Sequence, residues 1–121
     1  MEENRLDSRT EIIAEVANAH QGNPKLAKKL AHQSLENGAD GLKFFPAFQM
    51  DSSGFQALSA ILPSNHMSFA VGGIDTNDFE KWLSVNITGF GLGSSLYKPG
   101  LDLIKIRKKT EEVIKVFDKV S

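Results

Sequence analysis

The chain has 121 residues, of which 40% are hydrophobic and 24% charged, a balance that fits one globular domain and argues against disorder or a membrane class. Its 14 basic and 15 acidic side chains, with a pI near 6.3, give no electrostatic case for a nucleic-acid partner. The lack of cysteine excludes disulfides, iron–sulfur ligation and thiol catalysis, and it fits a cytoplasmic setting.

Residues 1–10 are polar, lack the apolar centre of a signal peptide, and are expected as a leader to a single domain over residues 11–121. No apolar run approaches membrane-spanning length, so no membrane partner is expected. Glu11 to Ala17 carries enough β-branched residues for a strand, and Asn18 to Asn23 supplies its turn. Pro24 suits the first position of a helix. From Lys25 to Asn37, Leu26, Ala27, Leu30, Ala31, Ser34 and Leu35 recur on one face, and Gly38 provides a left-handed stop.

Gly41 to Ala47 reads as a second strand, buried and closed by Pro46. A polar connection, Gln49 to Gly54, leads to a short helix marked by Phe55, Leu58, Ile61 and Leu62 and ended by Pro63. Met67 to Val71 is the third strand; it breaks at Gly72-Gly73, and Asp75 or Thr76 caps a helix that turns Phe79, Trp82 and Leu83 inward. The fourth strand, Thr88 to Gly93, runs into Ser94-Ser95. After Lys98-Pro99-Gly100 a last helix carries Leu103, Ile106, Val113, Ile114 and Phe117 on its apolar side.

The order is βα four times, with strands starting near residues 11, 40, 67 and 88, the spacing of right-handed βαβ crossovers. The expected fold class is α/β with parallel strands: half of a TIM (βα)8 barrel. Half a barrel exposes two strand edges and one apolar sheet face, so completion by dimerisation is expected.

Lys43 lies inside the apolar second strand, one of the least expected places for an ammonium. Strand carboxyl ends are where parallel α/β folds build their sites. A lysine in such surroundings is a candidate nucleophile for Schiff-base chemistry; alternatively its stem packs while its head meets water or a carboxylate. Gly72, Gly73, Gly93 and Ser94 lie at the ends of two successive strands, where bare backbone can approach an anion or merely make tight turns.

Three stretches then carry a resemblance: Leu42-Lys43-Phe44-Phe45-Pro46-Ala47, Ala70-Val71-Gly72-Gly73-Ile74, and the run from Gly89 to Gly100. From Leu42 to about Phe117 the chain resembles the C-terminal half of the aldolases that cleave 2-keto-3-deoxy-6-phosphosugar acids, especially the 6-phosphogalactonate type. The resemblance implies that Lys43 is the imine-forming lysine and that Gly72, Gly73, Gly93 and Ser94 form the substrate's phosphate pocket. Residues from Ile12 to Gly22 and from Gly38 to Phe44 resemble the opening of sialic acid synthase barrels. A division into a synthase-like unit, residues 11–41, and an aldolase-like unit, residues 42–121, follows.

The aldolases take their acid/base glutamate and a carboxylate-binding arginine from a first half-barrel that this chain does not contain. Glu15 is the replacement offered by the first strand, either as an ion-pair partner of Lys43 or as a proton carrier. His20 reads first as a turn residue, and Tyr97 and Lys98 are loop residues near the glycines. His32 and His66 show no metal-ligand spacing, so no metal is expected. No cofactor is expected either.

The expected activity is that of a class I, Schiff-base aldolase-type lyase of carbohydrate metabolism, which would release pyruvate and glyceraldehyde 3-phosphate from a 2-dehydro-3-deoxy-6-phosphosugar acid. Two alternatives stay open: a phosphate-binding half-barrel without turnover, and a fragment of a synthase-like enzyme.

Overall fold

A computed structural model describes residues 10–16, 24–63 and 66–121. His20 and the turn Asn18 to Asn23 lie outside the described residues. The strands are β1 (Ile13–Val16), β2 (Gly41–Phe44), β3 (Met67–Val71) and β4 (Gly89–Gly91); the helices are α1 (Pro24–Glu36), α2 (Ala47–Ser59), α3 (Phe79–Leu83) and α4 (Leu103–Val120). The strands form one parallel sheet in the order β1-β2-β3-β4. Four parallel βα units in simple succession make a half-barrel, as the strand spacing predicts.

Register is pinned by reciprocal bonds where strands begin. Asp40 donates its N–H to the Ile12 carbonyl at 2.8 Å while its carboxylate accepts the Ile12 N–H at 2.7 Å. Thr88 and Ser68 make the equivalent exchange between β3 and β4, with the Thr88 hydroxyl accepting the Ser68 N–H at 2.9 Å. The resulting row is Glu15, Lys43, Phe69 and Gly89, one residue from each strand at one level of the sheet.

Side chains alternate across the sheet, and among the described residues only one face is covered. Val16, Leu42, Phe44 and Ala70 point to the helices and are buried. Ala27 and Ala31, a helical turn apart, let α1 approach that face closely. Phe44 meets Phe55 edge-on at 5.4 Å, Phe55 meets Trp82 at 5.9 Å, and Phe79 stacks on Phe90 at 4.6 Å with Phe117 beside both. Burying each of these large side chains stabilises the fold by about 1.5–3 kcal/mol. On the opposite face Ile13, Glu15, Lys43, Phe69 and Val71 remain wholly or partly exposed. Among the described residues, β1 and β4 are each paired on one side only.

Several boundaries differ from the sequence expectation. β2 ends at Phe44, and Pro46 is the N-cap of α2, which begins at Ala47 rather than at Phe55. The polar stretch Gln49 to Gly54 is therefore helical apart from a kink at Asp51, where φ is 61° and ψ is 162°. Asp51 makes that break by accepting the Ser52 N–H at 2.7 Å, the Ser53 hydroxyl at 3.4 Å and the Lys81 ammonium at 3.3 Å. The Ser52 N–H, and then Lys81, hold its carboxyl below the ordinary aspartate range.

Asp75 does cap the third helical segment: its carboxylate accepts the Asn77 N–H at 2.8 Å, and Asp78 returns the favour to the Asp75 N–H at 3.0 Å. A 3-10 turn, Thr76–Asp78, then feeds α3. Two apolar residues assigned to the inward side of α4 are exposed, Leu103 at 83% and Ile114 at 54%. α4 packs on α3, on the turn before it and, through Phe117, on Phe90 of β4, while Leu103 and Ile114 lie outside that contact.

Candidate active site at the open face of the sheet

Lys43 and Glu15 are register partners on neighbouring strands, and both point to the uncovered face. Their charged atoms are 3.1 Å apart, with the lysine side chain 37% and the glutamate side chain 45% exposed. The expected apolar enclosure of Lys43 is thus half present. Its neighbours along β2, Leu42 and Phe44, are buried on the helix side, while its own side chain reaches water and a carboxylate. The Phe45 ring covers the ammonium from above, with Nζ 5.7 Å from the ring centroid, inside the range of a cation–π contact.

Phe45 also lines a cleft of about 320 Å³ at the carboxyl ends of β3 and β4. Gly72, Gly73, Gly93 and Ser94 all line it too, so the structure brings the four expected residues together. They do not share one role. Gly72 and Gly73 have φ of 99° and 70°, in the left-handed region that favours glycine. A Cβ on Gly72 would lie 2.9 Å from the Phe45 ring, and one on Gly73 would lie 2.9 Å from the Phe48 ring. These two glycines seat aromatic rings. A Cβ on Gly93, by contrast, would meet nothing within 4 Å.

The donors left over are at the far rim. Among the described residues, no hydrogen bond uses the N–H of Gly73, Gly93, Ser94 or Ser95, whereas the turn that follows is closed by the Leu96 and Tyr97 N–H groups on the Gly93 carbonyl. Ser95 also lines the cleft, and its buried hydroxyl has no hydrogen-bond partner among the described residues. A cluster of unused N–H groups with an orphaned hydroxyl suits an oxyanion.

Phe45, Phe48 and Ser95 were not singled out from the sequence. The signal for the aromatics was the density of Phe around Pro46, opposite a Gly-Gly pair that had to make room for something. Tyr97 and Lys98 are exposed and do not line this cleft. His32 pairs with Glu36 at 3.2 Å, and the His66 ring meets the Pro63 carbonyl. Among the described residues, no three His, Cys, Asp or Glu side chains come together to hold a metal ion. Nor is any described helix long and apolar enough to cross a membrane.

No protein-family model matches the chain. Over 83 residues it is 42% identical to the probable 2-dehydro-3-deoxy-6-phosphogalactonate aldolase of Rhizobium meliloti (strain 1021), a match covering 69% of this chain and 39% of that protein. Over 87 residues it is 34% identical to the 2-dehydro-3-deoxy-6-phosphogalactonate aldolase of Escherichia coli (strain K12), covering 72% of this chain and 42% of that one. A solved structure of native KDPGal superposes with a TM-score of 0.79 at 28% identity, over 92% of this chain and 50% of the other. That coverage is too wide to omit the first βα unit, so the whole half-barrel follows the same partial TIM-barrel fold. The chain spans about two fifths of the length of the curated relatives it matches. Over most of its length, then, this chain is homologous to the 2-dehydro-3-deoxy-6-phosphogalactonate aldolases.

Proposed function

We propose that the chain supplies the imine-forming half of a class I aldolase-type lyase acting on a 2-dehydro-3-deoxy-6-phosphosugar acid in the cytoplasm. The observation that carries this is the Glu15–Lys43 pair at 3.1 Å, on the inward face of a half-barrel and joined through Phe45 to a cleft with unused N–H donors. Homology to aldolases over most of the chain supports the same reaction class.

Lys43 as the free amine attacks the substrate's 2-keto carbon, and the carbinolamine loses water to give an iminium. Cleavage of the C3–C4 bond then sends its electron pair into the iminium, forming an enamine, while the C4 hydroxyl proton passes to a base and the phosphorylated aldehyde departs. Protonation of the enamine at C3 and hydrolysis release pyruvate and regenerate the amine. Glu15 is the carboxylate in reach of Lys43 and takes the proton-carrying role. The cleft at Gly93, Ser94 and Ser95 holds the terminal phosphate. Neither a metal nor a cofactor enters these steps.

Lys43 is ion-paired and partly exposed, and covering the open face would exclude solvent from the pair. A second copy of the chain is proposed as the cover. It would bring four more parallel strands, close both sheet edges and make an eight-stranded barrel. The half-exposed lysine also favours a second reading, an anion-binding half-barrel without turnover.

Borohydride reduction in the presence of pyruvate, followed by peptide mass spectrometry, separates the two readings. The aldolase reading predicts a reduced pyruvate adduct on the Lys43 peptide. Phosphate binding without an adduct would support the non-catalytic module, and manganese-dependent condensation of phosphoenolpyruvate would support the synthase-like alternative implied by residues 11–41.

A further inference from the structure

We propose that Phe48 is a specificity-determining wall of the anion cleft, and that Asp51 and Lys81 are positioning residues that hold the turn bearing it. The proposal rests on reading the cleft as an anion site. Phe48 is 65% and Phe45 42% exposed, and both line the cleft, so the two rings present an apolar surface at its edge. The Phe48 Cβ would lie 3.1 Å from a Cβ on Gly73, and its N–H donates to the Gly72 carbonyl at 3.3 Å. The ring and its backbone thus lean on the glycine pair at the cleft's edge.

The turn that carries Phe48 is a separate piece of α2. It runs from Ala47 to Met50 and is cut off from the rest of the helix by Asp51, whose φ of 61° with ψ of 162° belongs to a region that residues other than glycine rarely adopt. Such a conformation persists only where its surroundings hold it. Here the surroundings are the Ser52 N–H, the Ser53 hydroxyl and Lys81 Nζ on α3, all on the Asp51 carboxylate. The Ala47–Met50 turn also divides two clefts: Phe48 faces the anion cleft, while Gln49 and Met50 line an apolar cleft of about 570 Å³ between α1 and α2. Any shift of the turn changes the width of the anion cleft, and its ring sets how bulky a phosphate ester can enter.

Three measurements on the full chain test this. Amide exchange at Phe48 and Gln49 is expected to speed up by about threefold to tenfold in Lys81→Met, with β3 and β4 unchanged, and to return to the wild-type rate in Lys81→Arg. In titrations followed by phosphorus NMR, Phe48→Ala is expected to cut the preference for inorganic phosphate over phenyl phosphate by about tenfold. Trapping of pyruvate on Lys43 should be unaffected by Lys81→Met. An unchanged preference in a Phe48→Ala protein that still binds phosphate overturns the wall. Unchanged exchange in Lys81→Met overturns the clamp. A wild-type protein that binds no phosphate overturns the anion site itself and the wall with it, whatever the exchange data say.

Discussion

The two faces of the sheet are built by alternate residues of the same four strands, yet they have different completeness. On the helix face, Leu42, Phe44 and Ala70 are sealed under α1 to α3, and aromatic contacts run from Phe44 through Phe55 to Trp82. On the other face, one residue away along each strand, Glu15, Lys43 and Phe69 look outward at the level where a barrel would have its interior. The first face accounts for folding, and the second carries the proposed chemistry and is uncovered among the described residues. Stability and activity should therefore respond to different substitutions.

The largest expected effect is at Lys43. Lys43→Met keeps length and apolar bulk but removes the amine, so pyruvate trapping and turnover should vanish while the melting curve stays in place. Adduct formation that survives the substitution would move the nucleophile elsewhere, with Lys98 the first alternative. Next is Glu15→Gln, which keeps a hydrogen-bonding side chain but not the proton carrier. Turnover should fall by about 10²–10⁴, and the exposed pair's loss should change stability by less than about 1 kcal/mol. A fall no larger than twofold would leave Glu15 as an ion-pair partner only.

The helix face should behave the other way. Trp82→Ala removes a fully buried side chain and should cost about 3–5 kcal/mol, measured by urea denaturation, without altering how much adduct the remaining folded protein forms. The glycines sharpen the contrast at a smaller scale. Gly93→Val points a side chain into open space, so it should weaken phosphate binding while stability changes by no more than about 0.5 kcal/mol. Gly72→Val, with φ of 99° and the Phe45 ring 2.9 Å away, should lower both. If Gly93→Val costs as much stability as Gly72→Val, Gly93 is a turn residue and nothing more.

The periodic features were legible in the sequence. The 3.6-residue repeat and Gly38 set α1, and of the two cap candidates, Asp75 and Thr76, the structure uses Asp75. Lys43 is conspicuous as an ammonium inside an apolar run, and strand alternation places it on the face opposite Phe44. Less legible was α2, because a kink at Asp51 depends on Lys81, thirty residues on, and no local propensity reports that contact. Periodicity also shows which residues share a face and not what covers it. Leu103 and Ile114 read as inward and are exposed for that reason. Within the site, Gly72, Gly73, Gly93 and Ser94 share one cleft, but one reason does not serve all four. Whether a glycine yields to a ring or to a ligand depends on where Phe45 and Phe48 go.

Sedimentation equilibrium at micromolar concentration, read together with thermal unfolding, is the most direct test of the contrast between a finished and an unfinished face. A half-barrel whose open face carries Lys43 should be a dimer, and its dissociation should coincide with unfolding, because the exposed edges and inward side chains are satisfied only across the interface. A monomer that melts in one cooperative transition would contradict the account, since the open face would then need no partner.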